Sequence, residues 1–115
     1  MTIENFLKKL KTTPDSVTFE DTMEVIETNY NFTETAFKNG DTYNDPGKNS
    51  GSCKLFYFGK LHSLSKSDTL SCFGDYYRRD TLGNPTGNDH ANIRNFITYG
   101  WEGIQFEGVA LEEKN

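Results

Sequence analysis

Residues 86–106 organise the rest of this chain, and their sequence is TGNDHANIRNFITYGWEGIQF. Asn88 or Asp89 is predicted to cap a helix here, because a short polar side chain accepts a hydrogen bond from a free backbone N–H of the first turn. Apolar side chains then recur at helical spacing, at Ile93, Phe96, Ile97 and Trp101. Gly100 stands where a helix commonly ends, and the alternation over residues 104–106 predicts a strand. The segment therefore predicts a helix with one buried face, followed directly by a strand.

Four further helices are predicted from capping residues followed by apolar side chains at helical spacing. The caps are Thr2, Thr18, Ser52 and Ser65, and the segments end near Thr12, Tyr30, Leu61 and Leu82. Pro14 separates the first two helices, because the residue before a proline avoids helical geometry. Periodicity cannot assign the short apolar run within residues 53–61. A helix is preferred there because a serine precedes the run and another apolar position follows it.

A small sheet is predicted beside these helices. Residues 33–38 are rich in strand-forming side chains, and Asn39-Gly40 is a hairpin turn signal before a returning strand at residues 41–43. The strand near Ile104 is expected to pair with this region, since a lone strand leaves its backbone groups without partners.

The predicted fold class is α+β, with one mainly helical domain over residues 1–115, about five helices and a small antiparallel sheet. A chain of this length can form one domain and hardly two. Only 34% of its residues are hydrophobic, but 14% are aromatic, and each ring buries a large area. Aromatic rings are therefore expected to supply the core, while the polar end at residues 112–115 is expected to fray.

Charge and composition argue against several classes of function. The net charge is −5 and the sequence pI is about 4.9, whereas nucleic-acid binders usually carry a concentrated basic face. No apolar run is long enough to span a membrane, and the N-terminus lacks the apolar core of a secretory signal. Cys53 and Cys72 are predicted to be free thiols in a cytoplasmic protein, and their spacing relative to the histidines predicts no metal site. No cofactor, nucleic-acid partner or membrane partner is expected.

The first candidate for chemistry is Cys53, which follows Gly51-Ser52 at the predicted start of a helix. Backbone N–H groups and the helix dipole lower the pKa of a thiol at such a position. His90 comes later in the chain with Asn92 near it, and a cysteine, a histidine and a side-chain amide are the components of a papain-like nucleophilic site. The alternative is that Cys53 is a small buried thiol and that His90 is a capping residue or a polar group in the second turn of a helix.

Residues 49–54 also suit an anion. The backbone N–H groups around Asn49, Gly51 and Ser52 can point inward at a helix start, and Lys54 adds a positive charge. The spacing differs from that of the nucleotide-binding P-loop. The alternative is a plain turn that leads into a capped helix.

The densest polar cluster consists of Asp89, His90 and Arg94. His90 and Arg94 lie four residues apart and share one face of a helix. With a nearby carboxylate they can bind an acidic or polar ligand, and Trp101 can supply an apolar wall. The alternative is structural: Arg94 pairs with an acid and ties the last helix to the helix that contains Asp80.

Motifs along nearly the whole chain resemble one known family. They are Thr2-Ile3-Glu4, Phe6-Leu7, Asn39-Gly40-Asp41, Asn49-Ser50-Gly51-Ser52-Cys53-Lys54, Cys72-Phe73-Gly74, Asn84-Pro85, residues 89–96 and residues 100–108. On these residues the chain resembles the HopJ type III effector family. The resemblance implies a bacterial protein that is either delivered into host cells as a virulence effector or used in the bacterial cytoplasm. It implies no particular biochemical activity.

Two hypotheses about function follow. The first is a non-enzymatic binding domain for a host or bacterial protein partner or for a small polar ligand. The second is a thiol-dependent hydrolase or transferase that uses Cys53 and His90. Burial of the Cys53 sulfur argues against the second, whereas convergence of residues 39–54 and 87–101 on one cleft favours a ligand site.

Overall fold

The computed structural model describes residues 1–114, which form six helices and two small antiparallel sheets. The helices are α1 (Ile3–Thr12), α2 (Phe19–Asn29), α3 (Ser50–Leu61), α4 (Lys66–Ser71), α5 (Asp75–Arg78) and α6 (Ala91–Tyr99). The strands are β1 (Tyr30–Phe32), β2 (Phe37–Asn39), β3 (Thr42–Asn44), β4 (Ile104–Phe106) and β5 (Leu111–Glu113). This architecture confirms the predicted α+β, mainly helical fold class. Within residues 1–114, no helix is long and apolar enough to cross a membrane.

The first two helices begin at the predicted caps. The Thr2 hydroxyl accepts a hydrogen bond from the Asn5 backbone N–H at 3.0 Å. Thr18 and Asp21 form a reciprocal capping box, in which each side chain accepts from the other residue's backbone N–H. These bonds satisfy N–H groups that no helical carbonyl can reach. They join residues three apart, so the sequence pattern alone was sufficient to locate the two helix starts.

The core is built from aromatic rings around α3. Phe56 is fully buried, and its ring centroid lies 4.9 Å from that of Phe96 and 5.4 Å from that of Phe73. Phe58, two residues later and so on the other side of α3, meets Phe6 of α1 at 5.9 Å. Edge-on and tilted ring contacts of this kind add to the burial of apolar area. The largest fully buried side chains are phenylalanines, as expected, but aliphatic side chains such as Val25, Ile26 and Leu55 are buried equally well. The prediction that rings replace an aliphatic core was therefore only partly right.

The three-stranded sheet has the order β3-β2-β4. A two-residue turn at Gly40-Asp41 joins β2 to β3, with Asn39 opposite Thr42. Gly40 has φ +63°, and a Cβ there would lie 2.2 Å from Cδ2 of Tyr99, so the turn requires glycine. On its other edge β2 pairs with β4, where Asn39 lies opposite Ile104. The predicted pairing of the strand near Ile104 with this hairpin is confirmed, although β2 begins at Phe37 and not at residue 33. The turn lies one residue later than the predicted Asn39-Gly40, because Asn39 is still paired in β2.

The second sheet corrects the prediction for the end of the chain. Residues 112 and 113 belong to β5, which pairs with β1 so that Tyr30 lies opposite Glu113. Beyond it, the Lys114 backbone N–H donates to Asn29 O at 3.1 Å, and Asn115 lies outside the described residues. The expected fraying of 112–114 was wrong because strand pairing uses backbone groups, which the polar side chains do not reveal. Tyr30, predicted on a helix face, belongs to β1 for the same reason.

The single helix predicted from Ser65 to Leu82 is two helices, and the second ends at Arg78, before Leu82. Gly74 interrupts the predicted helix with φ +62° and ψ −134°, between α4 and α5. A Cβ at this position would lie 2.8 Å from the backbone N of Phe19. The close passage of the α2 backbone therefore sets the break, and that contact is not encoded in the local sequence. The predicted cap at the start of this segment is confirmed, since the Ser65 hydroxyl accepts from the Asp68 backbone N–H at 3.0 Å.

Candidate functional site

The candidate site is a cleft of about 500 Å³ where four helices and the hairpin meet. Its lining comes from α2, β3, the start of α3, the α4–α5 junction, α5 and the start of α6: Phe19, Thr42, Asn49, Gly51, Ser52, Phe73, Tyr76, His90, Ala91, Asn92 and Ile93. Residues from both segments named in the sequence analysis, 39–54 and 87–101, are present. The convergence that favours a ligand site is therefore observed.

Two helices begin in this cleft without side-chain caps. Asn49 precedes α3 with φ 53° and ψ 47°, and His90 precedes α6 with φ 51° and ψ 49°. Among the described residues, no side chain caps either helix, and the first helical bonds begin only at the N–H groups of Cys53 and Arg94. The backbone N–H groups of residues 50–52 and 91–93 are therefore available to a ligand. The predicted caps, Ser52 for α3 and Asn88 or Asp89 for α6, were wrong.

Left-handed residues explain why these caps were misplaced. An Asn or His side chain tolerates positive φ better than most residues, so both helices begin through backbone geometry and not through a side-chain oxygen. Ser50 consequently starts α3 three residues earlier than the predicted Cys53, and Ser52 lies inside the first turn on the wall of the cleft.

Aromatic rings form the opposite wall of the cleft. Phe19 stacks on Phe73 with a centroid distance of 6.3 Å and an interplanar angle of 12°, and it meets Tyr76 edge-on at 5.3 Å. Gly51 allows this wall to approach α3, because a Cβ there would lie 2.8 Å from Cζ of Phe19. The cleft thus has an apolar side facing two sets of N–H donors.

A network of asparagine side chains lies beneath the cleft and joins its two helix starts. Asn44 and Asn92 form a reciprocal amide pair at 3.0 and 3.1 Å. Asn49 Nδ2 donates to Asn44 Oδ1 at 2.7 Å, which ties the start of α3 to the same pair. Asn39 Nδ2 donates to the backbone O and to Oδ1 of Asn92 at 2.8 and 3.0 Å. Asn39, Asn44 and Asn92 are buried. Their hydrogen bonds therefore fix the start of α3 relative to the start of α6.

His90 lies on the rim, between a carboxylate and an aromatic ring. Its Nε2 is 3.2 Å from Asp80 Oδ2, and its ring centroid is 5.4 Å from that of Tyr76. The pKa of the Asp80 carboxyl is lowered, first by the hydrogen bond from Arg79 and further by His90. The carboxylate therefore holds the imidazole in one orientation at the edge of the cleft.

The Cys53 thiol does not face this cleft. It is 1% exposed, and its Sγ donates to the backbone O of Thr35 at 3.5 Å. Burial raises the pKa of the thiol to about 11, which opposes the acidifying effect expected at a helix start. The geometry therefore disfavours Cys53 as a nucleophile with His90, and its environment matches the alternative of a small buried thiol.

We expect the native protein to resist thiol reagents. At neutral pH a chromogenic disulfide reagent should react with neither Cys53 nor Cys72 on the time scale of its reaction with free cysteine, because burial raises both thiol pKa values. In urea both thiols should react at once. The release of chromophore measures the rate of the thiol reaction directly. Rapid reaction of Cys53 in the folded protein would support the hypothesis that it is a nucleophile.

Asp89 and Arg94 contact each other and the neighbouring loop. The Arg94 guanidinium donates to Asp89 Oδ1 at 2.7 Å and to the backbone O of Asn84 at 2.9 Å. It also reaches the backbone O of Asp80 at 3.4 Å, so it ties α6 to the segment before it. Arg94 thus pairs with an acid, as the structural alternative expected, but Asp80 lies beyond the end of α5 and not within a helix. The hydrogen bond from Arg94 also lowers the pKa of Asp89.

Lys54 and Trp101 lie away from the cleft. Lys54 Nζ is 3.4 Å from Glu27 Oε2 and 4.9 Å from the centroid of the Phe32 ring. Trp101 is half-buried, and its Nε1 donates to Leu64 O at 2.9 Å beside a separate cavity of about 310 Å³. Of the residues selected from the sequence, the cleft brings together Asn49, Gly51, Ser52 and His90.

Sequence reasoning missed much of the cleft lining. Phe19, Phe73 and Tyr76 were assigned to apolar helix faces, and Thr42 to a returning strand. The periodicity of apolar residues predicts which face of a helix or strand is buried. It does not indicate that one end of that element lines a cavity. Five asparagines within two short segments (39, 44, 49, 92 and 95) were the one signal available, because buried amides require partners.

Comparisons with known proteins agree with this fold. The sequence model described as HopJ type III effector protein matches residues 3–111, and no curated protein matches the chain. The chain is also similar to a solved protein described as "Crystal structure of unknown function protein VPA0580", with 55% identity and a TM-score of 0.98. That match covers 99% of this chain and 95% of the other. Since the family match spans nearly its whole length, this chain belongs to the HopJ type III effector protein family.

Proposed function

We propose that the protein is a non-enzymatic binding domain that takes a small polar ligand in the cleft between α3, α5 and α6. One observation carries the proposal: two helices begin without side-chain caps in the same cavity. Their free N–H groups need hydrogen-bond acceptors, and the ends of two helix dipoles favour negative charge there. The ligand class is therefore a small molecule with a carboxylate or similar oxygen-rich group.

The aromatic wall supports a second feature of this ligand. Phe19, Phe73 and Tyr76 present apolar surface opposite the helix starts, and pockets of this size usually combine an apolar surface with a few polar groups. A planar or apolar body attached to the acidic group would lie against these rings. His90 stands at the edge with its Nε2 near Asp80, where it can contact the polar end.

The position of the Cys53 thiol supports binding over catalysis. Its sulfur contacts Thr35 O behind the cleft wall, and its raised pKa removes thiolate at neutral pH. As part of the same proposal, the description of the family as type III effectors supports delivery of the chain into a host cell, where it would meet its ligand. Appearance of a reporter-tagged chain inside host cells, dependent on a type III apparatus, is the measurement for delivery.

The binding proposal is tested with matched probes and backbone amide NMR. Benzoate and benzamide share a ring but differ in charge, and inorganic phosphate has no ring. We expect benzoate to shift the amide signals of residues 50–52 and 91–93 at lower concentration than benzamide, because charge-assisted bonds to N–H groups are the stronger. Phosphate should shift the same amide signals but bind more weakly, since it has no ring to contact the aromatic wall.

A cleft-filling substitution supplies the control. Ala91 is exposed and lines the cleft at the start of α6, so Ala91→Phe should weaken benzoate at least about tenfold, or 1.4 kcal/mol. Thr98→Phe places the same ring at an exposed position farther along α6 and should leave the affinity unchanged. Two outcomes would contradict the proposal. One is an equal loss of benzoate affinity in the two variants, and the other is that no probe shifts the amide signals of residues 50–52 and 91–93.

A further inference from the structure

Asn39, the last residue of β2, and Gly40, the first residue of the hairpin turn, form a chemically labile pair. Glycine has no side chain, so its backbone nitrogen reaches the preceding asparagine more easily than that of any other residue. In the reaction, Gly40 N attacks Cγ of Asn39 and a C–N bond forms while the bond from Cγ to Nδ2 breaks. Ammonia leaves with the proton from Gly40 N, and water then opens the cyclic imide to aspartate or isoaspartate.

The folded protein opposes each step of this reaction. Asn39 is fully buried, and its Nδ2 is held by two oxygens of Asn92 at 2.8 and 3.0 Å. The Gly40 N–H donates to the backbone O of Gly103 at 2.9 Å, so the nitrogen that would attack Asn39 Cγ is already engaged in a hydrogen bond. Ring closure requires breaking these bonds, and opening of the cyclic imide then requires water at a buried site.

Neither product fits the native structure. Aspartate at this position places a carboxylate oxygen where Nδ2 now faces the two oxygens of Asn92, and the charge would be buried among acceptors. Isoaspartate adds a backbone atom to β2. That extra atom disrupts the pairing of Asn39 with Thr42 on one edge and with Ile104 on the other, because strand register depends on residue spacing.

We infer that Asn39-Gly40 is a modification site masked by the fold. It deamidates spontaneously in the unfolded chain, is protected in the native chain, and prevents refolding once it has been converted. Time spent unfolded is thereby recorded as irreversible loss of the native state. The inference is independent of the ligand proposed for the cleft.

The test compares the full chain kept folded and kept in urea above its unfolding midpoint, at the same mildly alkaline pH and temperature. Peptide mass spectrometry follows conversion of Asn39 with time, and aliquots are diluted out of urea to measure the refolded fraction. We expect conversion in urea and none detectable in the folded arm over the same interval. The refolding yield should fall by the converted fraction of Asn39, and Asn39→Asp should fail to reach the native state.

Internal and matched controls identify the attacking atom. Asn84 precedes Pro85, which has no N–H and cannot close the ring, so Asn84 should remain unchanged in both arms. Gly40→Ala should slow conversion severalfold in urea, an arm that does not require the variant to fold. Equal conversion of folded and unfolded chains, absence of conversion in urea, or full refolding of converted chains would each overturn the inference.

Discussion

Replacing Phe56 with alanine is expected to lower the free energy of unfolding by about 3–5 kcal/mol. The Phe56 ring is fully buried at the centre of the core. Its centroid lies within 6.1 Å of Phe37, 5.4 Å of Phe73 and 4.9 Å of Phe96. These neighbours come from the sheet, from the α4–α5 junction and from α6, so no single element can move to close the cavity. The loss therefore combines transfer energy with an unfilled space.

Urea unfolding measures this effect with a matched control. A small domain has about 5–15 kcal/mol of stability in total, so Phe56→Ala should move the midpoint strongly while leaving the slope unchanged. Tyr43→Ala removes an aromatic ring that is 56% exposed and should cost no more than about 1 kcal/mol. Equal losses in the two variants would mean that the aromatic cluster is not the core.

Asn44→Asp is expected to lower the free energy of unfolding by about 3–5 kcal/mol at neutral pH, the cost of an uncompensated buried charge. The substitution preserves shape but replaces Nδ2 with an oxygen. That oxygen would face Asn92 Oδ1 at 3.1 Å and the backbone O of Phe37 at 3.4 Å. Asn5→Asp is the matched control, because Asn5 is exposed in the first turn of α1, where a negative charge is mildly favourable.

The effect of Asn44→Asp should depend on pH with a defined sign. Burial among acceptors raises the pKa of the new carboxyl in the folded state above its unfolded value of about 3.9. The folded state then binds the proton more tightly, so stability relative to wild type is retained below about pH 4 and falls as the pH rises through the folded pKa. In its protonated form, the carboxyl introduced at position 44 can also donate to Asn92 Oδ1. A stability difference that stays constant with pH would contradict this account.

Elements defined by neighbouring residues were predictable from sequence. Thr2, Thr18 and Ser65 cap helices by bonds to N–H groups three residues away, and the Asn39-Gly40 signal marked the hairpin. The interactions behind these features span a few residues, so the sequence pattern contains them in full. The pairing of β4 with β2 followed from the need to satisfy the backbone of a late strand.

Other features depend on residues far apart in the chain. Gly74 breaks a helical pattern because the α2 backbone passes beside it, and β5 forms because β1 supplies an edge for it. Neither contact leaves a periodic signal. The starts of α3 and α6 were misplaced because Asn49 and His90 adopt left-handed geometry, which three-residue capping patterns do not represent.

The same division holds for the candidate site. Local reasoning selected Asn49, Gly51, Ser52 and His90, which do meet in the cleft. Arg94 also carries the expected charge, but its guanidinium is occupied by Asp89 and the neighbouring loop. Hydrogen-bond capacity can be read from residue type, whereas whether that capacity is already used depends on which carbonyls and carboxylates the fold brings within reach.

The order of residues was enough to establish the helical α+β class and the presence of many rings in the core, because both follow from local pattern and composition. Kinship came from motifs that match the family along the chain. Assembly in three dimensions was needed for the cleft, for the amide bridge between Asn44 and Asn92 and for burial of the Cys53 thiol. The physical reason is the separation along the sequence of the residues that interact. Caps and turns are formed within one helical turn of chain, while a cavity and a buried pKa are properties of surfaces contributed by distant segments.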